Sequence, residues 1–328
     1  MSSISPATAK LLALSMLKGV GPASLRLALN VANFANAPID AIAKQVPRMA
    51  SATHASLWTD ALERAERQVE YAEISSARII SVLDPDYPPL LKATKDDPVI
   101  LYVRGALADR PEQSAAVVGT REPTKHGVKI AERVTQFLVE NGWSVVSGLA
   151  LGLDAVAHEA TLKAGGHTVA VMAHGLHTVA PSKHKGLAQE ILDKGGALVS
   201  EYGFGVDPRP EFFVKRDRIQ AGLAQGVVMV QSDLKGGSLH ASRAALDYGR
   251  WLAVPEPTKL DADNGEPKVR ANALIVSDRR DAIAELLACS ETSLRKVVVL
   301  RGKEDYPSLL TTSVSPVDSG VMPQVGLL

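Results

Sequence analysis

A turn with an arginine, between a strand pattern and a helix pattern, is the first place where this sequence could hold an anion. Gly119-Thr-Arg121 follows the apolar run Ala115–Val118 and precedes a helical pattern. Gly119 would let the backbone approach a ligand, the amides of Thr120 and Arg121 could bind an anion with the dipole of the following helix, and Arg121 could grip a phosphate bidentately. The turn matches neither the G-x-G-x-x-G pattern nor a Walker A loop, so NAD and ATP are poorly supported. The segment predicts either a phosphate site or an ordinary turn.

A basic and aromatic segment is the second candidate. Lys215, Arg216 and Arg218 are three cations within four residues, and Phe213 lies just before them. Cations beside rings are typical of proteins that follow a nucleic-acid backbone and stack its bases. The alternative interpretation is the solvated, basic start of a helix.

Two further glycine-rich turns precede helical patterns. Gly237 and Ser238 open one helix, where Ser238 is the expected N-cap and the helix start could bind an anion. Ser147 and Gly148 begin the other turn, and with Asp154 they are expected to line the same crevice.

A structural role is the alternative for this last turn. Asp154 could brace the turn, and His158, four residues further on and on the same helix face, could be a hydrogen-bonded core residue.

The pattern of titratable residues does not favour a catalytic or metal site. His174 and His177 lack the H-E-x-x-H spacing of zinc enzymes, and Cys289, the single cysteine, allows neither an intrachain disulfide nor a cysteine zinc site. A carboxylate pair of Glu201 and Asp154 across two strand ends stays open. We expect a non-catalytic protein without a metal or cofactor.

The elements that must position these residues alternate regularly between strand and helix patterns. Strands that are apolar throughout, each followed by a helix, indicate a parallel sheet covered on both faces. We therefore predict a doubly wound α/β domain of the Rossmann type, with ligands at the carboxyl ends of the strands near a topological switch point. The predicted strands are Ala77–Leu83, Val99–Val103, Ala115–Val118, Ser144–Ser147, Thr168–Met172, Ala197–Ser200, Val227–Val230 and Trp251–Val254.

Three regions follow from these patterns. Residues 1–75 are predicted to be a small all-α domain, in which Gly19-Val-Gly21 forms either a phosphate-binding helical hairpin or a plain tight turn. Residues 76–290 form the α/β domain, with Glu256–Arg270 as a surface loop. Residues 291–328 form a C-terminal extension that is partly flexible from Thr311 onwards.

Composition sets limits on the function. The chain has 328 residues, with 36 Lys and Arg against 36 Asp and Glu, so its formal net charge is zero. This excludes a histone-like protein that coats nucleic acid, but not a local basic groove. Apolar residues make up 46%, which excludes a wholly disordered chain, and 4% aromatic residues are too few for a broad stacking platform.

The sequence also bears on location. No apolar run approaches the roughly 20 residues of a membrane span. The N-terminus lacks the basic and apolar regions of a signal peptide. A single cysteine fits a reducing compartment. We therefore expect a cytoplasmic protein with no membrane partner.

Taken together, the motifs resemble those of the DNA-processing protein A (DprA/Smf) family, in the same order and over about residues 8–290. The matching segments are Asp86-Tyr-Pro-Pro-Leu-Leu91, Pro98–Gly105, Val118-Gly-Thr-Arg121, Ser147–Ala150 with Gly152–Asp154 and Ala157-His158, Ser200-Glu201, Arg216–Ile219 with Ala221–Leu223, Gly237–Leu239 and Asn272–Ile275.

The resemblance implies an extended Rossmann-like domain with a mostly parallel sheet, preceded by a SAM-like or helix-hairpin-helix domain. It implies a homodimer without catalysis that binds single-stranded DNA and loads a RecA-type recombinase onto it, in natural transformation or recombination. By position, Gly119 and Arg121 fall on the family's phosphate-contacting turn, Arg216 and Arg218 on its Arg-Asn-Arg segment, and Phe213 on the preceding Phe. Lys183 or Lys185 lies near a basic position of its groove.

Departures from the family pattern leave a second hypothesis open. Asp217 replaces the Asn of Arg-Asn-Arg, Gln231 replaces an acidic residue, and Ala241 replaces a Thr. These changes, with Glu201 expected nearby, suggest a diverged Rossmann protein that binds or hydrolyses a nucleotide-like small ligand, in a defence system for example.

Overall fold

The computed structural model describes residues 4–311. Its N-terminal part is helical, as predicted. The first helix begins at Pro6, because Ser5 caps it by accepting a hydrogen bond from the Thr8 amide and Pro6 fills its first position. The helices of this part are α1 (Pro6–Ser15), α2 (Pro22–Leu29), α3 (Ile39–Gln45), a 3₁₀ helix (Pro47–Thr53) and α4 (Ala55–Ile74).

The described residues form one sheet of nine strands, in the order β1-β2-β6-β5-β4-β3-β7-β8-β9. β2 is antiparallel to both of its neighbours, and all the other pairs are parallel. The strands are β1 (Ala77–Ser81), β2 (Ile100–Gly105), β3 (Ser114–Val118), β4 (Ser144–Ser147), β5 (Thr168–Val171), β6 (Ala197–Ser200), β7 (Gly226–Met229), β8 (Trp251–Pro255) and β9 (Val297–Leu300). The predicted doubly wound α/β fold is confirmed.

The chain reverses its direction of growth at β3. It builds outward from β3 through β4 and β5 to β6, and then returns to place β7 on the opposite edge of β3. A crevice is expected at such a switch point, at the carboxyl ends of β3 and β7.

Helices cover both faces of this sheet. Alternate residues of β3 and β7 point to opposite sides, so each face has an apolar cluster of its own. One cluster packs α9, α10 and α13, and the other packs α6, α7 and α14. The helices are α5 (Pro89–Lys92), α6 (Lys125–Glu140), α7 (Leu153–Lys163), α8 (Lys185–Asp193), α9 (Pro210–Gly222), α10 (Ser238–Asp247), α11 (Lys259–Asp263), α12 (Arg270–Ile275), α13 (Arg280–Leu287) and α14 (Pro307–Thr311).

The N-terminal helices share the first of these clusters with the sheet. Leu11 and Met49 belong to the same buried cluster as Leu101 and Val171. A polar contact reinforces the junction, since Asp84, after β1, accepts hydrogen bonds from the hydroxyls of Ser5 and Thr8. The helical part and the sheet are therefore packed as one body.

The C-terminal part of the chain differs in two places from what the patterns predict. The expected surface loop 256–270 contains α11 and a short 3₁₀ helix, Pro267–Val269. Beyond the predicted boundary at 290, β9 adds a parallel strand beside β8. Most of the predicted flexible tail, residues 312–328, lies outside the described residues. Among residues 4–311, no helix is both long and apolar enough to cross a membrane.

Candidate functional site

An open crevice of about 620 Å³ lies at the carboxyl ends of β3 and β7. Its walls come from the turns after β3, β4 and β7, together with the start of α9. Five basic and three acidic side chains line it: Arg121, Arg209, Arg216, Lys235, Lys268, Asp154, Asp217 and Asp233. A charged crevice therefore lies at the predicted position, the switch point of the sheet.

The turn after β3 is fixed by close packing. A Cβ on Gly119 would lie 2.2 Å from Cδ1 of Leu153 and 3.1 Å from the Gln231 carbonyl oxygen, so a side chain there would require Leu153 to shift. The amide of Thr120 donates to the carbonyl of Gln231 at 2.9 Å. The prediction that this amide holds an anion is wrong, because that donor is already used.

The following helix is also capped internally. Thr124 is the N-cap of α6, and its hydroxyl accepts from the amide of Gly127 at 3.1 Å. Buried Gln231 accepts from the Thr124 amide at 3.1 Å and donates to the Thr124 hydroxyl at 2.9 Å. Gln231, which departs from the family pattern, therefore holds the N-cap residue of α6 in place. It does not line the crevice.

Arg121 and Phe213, both predicted site residues, meet at the crevice. The guanidinium carbon of Arg121 lies 5.6 Å from the ring centroid of Phe213, and the arginine is exposed. Within residues 4–311, Arg121 makes no ion pair and no hydrogen bond. The guanidinium is therefore free to bind a ligand anion above an aromatic ring.

Arg216 lines the crevice but is not a free cation. It is only 3% exposed, its Nη1 donates to the carbonyl of Val171 at 2.8 Å, and its Nε lies 3.3 Å from Oδ1 of Asp217. Its guanidinium also fills the space beside Gly148, where a Cβ would lie 1.5 Å from Nη1. The prediction of a solvent-facing DNA contact is corrected to a buried cation at the floor of the crevice, held by a strand carbonyl.

Two carboxyl groups flank this arginine. Burial raises the pKa of Asp217 to about 7, although Arg216 opposes the shift. Burial also raises the pKa of Asp154, again against the effect of Arg216. Asp217 is held further by Gln220, whose Nε2 donates to its Oδ1 at 2.9 Å. The charge at the floor of the crevice therefore depends on pH near neutrality.

Arg218, Lys215 and Glu201 lie outside the crevice lining. Arg218 pairs with Glu201 at 2.6 Å and with Asp96 at 3.7 Å. Lys215 is exposed and contributes to the electrostatic environment of Glu201. The expectation that Glu201 lines the crevice is wrong, and so is that of a free cation at Arg218, because the two neutralise each other on another side of α9.

The turn after β7 provides a helix start that faces the crevice. Gly237, not Ser238, is the N-cap of α10, and no side chain caps this end. The Ser238 side chain is 8% exposed, and its hydroxyl has no hydrogen-bond partner among the described residues. The predicted N-cap is wrong. The amides of Leu239 and His240 donate to the carbonyls of Gly236 and Gly237, so the unused Ser238 hydroxyl is the group at this end that is left to bind an anion.

The residues of the turn after β4 are mostly structural. The Ser147 hydroxyl donates to the carbonyl of Val117 at 2.7 Å, and neither it nor Gly148 lines the crevice. Asp154 does line it and accepts from the Ala150 amide at 3.4 Å, so it braces the turn. His158 is fully buried and hydrogen-bonds Thr168 at 2.7 Å. Burial holds the pKa of His158 at about 3, so the ring is neutral.

Lys183 and Lys185 follow β5 at the same edge of the sheet. Both are exposed, and neither lines the crevice. His184, between them, contacts the carbonyl of Leu149 at 2.8 Å, which ties their segment to the turn after β4. The two lysines are therefore tied through His184 to the turn after β4, and they lie outside the crevice lining.

Three cations of the site were not predicted. Arg209, Lys235 and Lys268 line the crevice, and Lys268 is paired with Glu122 at 2.8 Å. Arg209 lies between two prolines, Lys235 between Leu234 and Gly236, and Lys268 between Pro267 and Val269, so no shared local pattern marks them. Only the position of Lys235 before Gly236-Gly237, at a helix start, was a usable signal.

His174 and His177, the pair considered as metal ligands, form hydrogen bonds with backbone groups instead. Nε2 of His174 accepts from the Ala180 amide at 3.1 Å, and its Nδ1 contacts the carbonyl of Gly175 at 2.9 Å. Within the described residues, no group of three or more His, Cys, Asp or Glu is placed to hold a metal ion.

Comparison with known proteins gives a consistent result. A model of the family described as DNA recombination-mediator protein A matches residues 78–287. The protein Smf of Escherichia coli K12 is 38% identical over 202 residues, which cover 61% of this chain and 54% of that protein. The DNA processing protein DprA of Streptococcus pneumoniae is 37% identical over 207 residues, covering 62% and 73%. The match thus spans about half the length of the Escherichia coli protein.

Solved structures agree in fold. The X-ray structure of DprA from Streptococcus pneumoniae superposes with a TM-score of 0.69 at 25% identity, covering 92% of this chain and 97% of that one. A structure of DprA from Helicobacter pylori, described for its single-stranded DNA binding mode, gives 0.57 at 25% identity, covering 72% and 97%.

Proposed function

Because the chain belongs to the DNA recombination-mediator protein A family, we propose that it binds single-stranded DNA in the crevice at the switch point of the sheet. A crevice with exposed cations on its rim and an aromatic ring in its wall suits a strand whose phosphates and bases are both accessible.

The observation that carries this proposal is the exposed Arg121 guanidinium above the Phe213 ring. A phosphate can form an ion pair with the guanidinium of Arg121, and a base can stack on the ring of Phe213. The unused Ser238 hydroxyl at the start of α10, with nearby Lys235, supports a second phosphate in the same crevice. Lys183 and Lys185, exposed on the same edge, support an onward path for the strand.

The partners and the pathway are part of the same proposal. The family is described as recombination mediators, which supports loading of a RecA-type recombinase onto the bound strand, in natural transformation or recombination. We further propose a homodimer in the cytoplasm that acts by binding, without catalysis. In this proposal residues 76–290 hold the DNA, and the helical residues 1–75 and the extension 291–328 flank them.

A nucleotide-like ligand is the competing function. It is suggested by Asp217, Gln231, Ala241 and Glu201, and of these four Asp217 and Ala241 line the crevice. A thermal-shift panel separates the two functions. Oligonucleotides that raise the melting temperature, with mononucleotides that do not, support DNA; the reverse result supports the nucleotide.

The direct test is titration of fluorescent oligo-dT by anisotropy at several salt concentrations. We expect saturable binding by the unchanged protein that weakens steeply with salt. Arg121→Ala should weaken it and reduce the slope of log K against log salt by about 0.7, the value for one phosphate contact on a single strand.

Arg110→Ala is the matched control. Arg110 is also an exposed arginine, but it precedes β3 and so lies at the opposite end of the same strand. Binding that is equally weakened by both substitutions, or no saturable binding at low salt, would refute the crevice as the DNA site.

A further inference from the structure

Two stacked rings lie beside the crevice, outside the part lined by Phe213. Tyr202, just after β6, and Phe212, in the first turn of α9, have ring centroids 4.3 Å apart and planes inclined by 25°. The guanidinium carbon of Arg209 lies 5.6 Å from the Phe212 centroid. Arg209 itself lines the crevice, whereas the two rings do not. This arginine therefore joins the stacked pair to the crevice.

The arrangement repeats the one at Phe213. In both places an exposed arginine covers a phenylalanine ring at 5.6 Å. The side chain of Arg209, like that of Arg121, makes no ion pair or hydrogen bond within residues 4–311. Phe212 and Phe213 are successive residues of a helix, so their side chains point about 100° apart, given 3.6 residues per turn. The Phe213 ring therefore lines the crevice, and the Phe212 ring lies on the surface next to it.

Hydrogen bonds hold the backbone of the segment that carries Tyr202. The amide of Phe204 donates to Oε1 of Gln68 at 2.7 Å, and Nε2 of Gln68 donates to the Phe204 carbonyl at 3.1 Å. The Tyr202 amide donates to the Ser200 hydroxyl at 3.0 Å. These bonds hold the backbone at Tyr202 and Phe204, and stacking on Phe212 gives the Tyr202 ring a defined position. Binding a base there requires little ordering of the protein.

We propose that Tyr202, Phe212 and Arg209 form a second nucleotide subsite, which takes the base next to the one stacked on Phe213. The proposal rests on the function proposed above and sets a minimum of two adjacent stacked nucleotides for the ligand. On binding, the Arg209 guanidinium pairs with the phosphate between these nucleotides, and a base replaces it on the Phe212 ring. Every base has a π face, so the subsite has little sequence preference.

The test separates ring from charge by oligo-dT anisotropy at several salt concentrations. Phe212→Leu keeps an apolar side chain but removes the stacking face, so we expect about tenfold weaker binding with an unchanged salt slope. Arg209→Ala should reduce the salt slope by about 0.7. Phe137→Leu is the matched control, because Phe137 packs against Tyr306 on the other face of the sheet and should bind as the unchanged protein does.

A spectroscopic readout makes the result independent of overall stability. An oligo-dT with 2-aminopurine at adjacent positions should lose fluorescence when its bases stack on the rings. We expect two quenched positions in the unchanged protein and one in Phe212→Leu. If Phe212→Leu binds and quenches like the unchanged protein while Arg121→Ala binds weakly, the second subsite is refuted and the crevice remains. If the unchanged protein does not bind oligo-dT, the proposed function itself fails.

Discussion

Asp217 is the residue whose ionisation bears most directly on the crevice. Its carboxyl contacts Arg216 and Gln220, and it also feels the charges of Asp154 and Arg121. Burial raises its pKa to about 7. Near neutral pH it changes from a neutral hydrogen-bonding group to a negative charge at the floor of a site that should hold phosphates.

The stability of the protein should report this ionisation. Between the unfolded pKa near 4 and the folded value, the folded state binds the extra proton, so this group lowers the free energy of unfolding as pH rises. We expect the stability of Asp217→Asn, relative to the unchanged protein, to rise with pH through that window by up to about 1.4 kcal/mol per pH unit. Urea unfolding at about pH 5, 6, 7 and 8 measures it.

Binding of oligo-dT should also depend on the ionisation of Asp217. Oligo-dT affinity of the unchanged protein should fall as Asp217 ionises, and Asp217→Asn should remove this dependence. Asp86→Asn, an exposed carboxyl before α5, controls for the loss of one charge. Identical pH profiles for all three proteins would contradict a titrating group in the crevice.

For single residues, the sequence predicts which of them lie close together. It predicts less well which interaction each side chain makes. Arg121 and Phe213 meet as expected, because the turn after β3 and the start of α9 both lie at the carboxyl edge of the sheet. Arg216 and Arg218 were expected as free cations. Their partners, the Val171 carbonyl and Glu201, come from distant segments that no local pattern reveals.

At the scale of the elements, α1 is joined to the sheet through Asp84. This carboxylate accepts hydrogen bonds from the hydroxyls of Ser5 and Thr8 and from the amide of Ser81. Burial alone would raise the pKa of Asp84, but these hydrogen bonds outweigh it and hold the pKa below its usual value. The hydrogen bonds of Asp84 therefore stabilise its ionised form.

We expect Asp84→Ala to lower the free energy of unfolding by about 1–3 kcal/mol, because three donors lose a charged acceptor. The loss should be present at neutral pH and should diminish as pH falls through the folded pKa, since the carboxyl is then protonated in the native protein as well. Denaturant titrations at two pH values check both statements.

The control lies two residues away. Asp86 pairs with Arg78 at 3.1 Å, but both side chains are about two-fifths exposed. Asp86→Ala should therefore cost no more than about 1 kcal/mol. Equal losses for the two variants would show that the contact at Asp84 is no more than a surface interaction.

The elements themselves were the most predictable part. Ser144–Ser147 and Ala197–Ser200 coincide with β4 and β6, because buried parallel strands are short continuous apolar runs bounded by turn residues. β9 was missed although Val297–Leu300 is such a run, since no further helix-and-strand unit follows it. The helices α11 and α12 were also missed, because they are too short to show an apolar period.

For the molecule as a whole, the shared core predicts cooperative unfolding. Leu11 of α1 and Leu101 of β2 belong to one buried cluster, so the helical part cannot leave without exposing the face of the sheet. We expect a single calorimetric transition with equal calorimetric and van't Hoff enthalpies. Asp84→Ala should move the whole transition, and two separable transitions would contradict a common core.

The charges of the whole molecule balance, but they are not evenly distributed. Equal numbers of acidic and basic residues coexist with exposed, unpaired arginines at one edge of the sheet. Zero net charge therefore removes long-range attraction to DNA in general but leaves a local attraction at the crevice. Binding should depend on a few contacts rather than on the overall charge.

The strand order has a further consequence during synthesis. β3 pairs with β4 on one edge and with β7 on the other, and β7 leaves the ribosome about a hundred residues after β3, or roughly 5–20 s at 5–20 residues per second. Until then the future centre of the sheet has an open edge, and the crevice lacks one of its walls. A nascent chain can therefore collapse around β3 to β6 early, yet the crevice is not complete until β7 and α10 have been made.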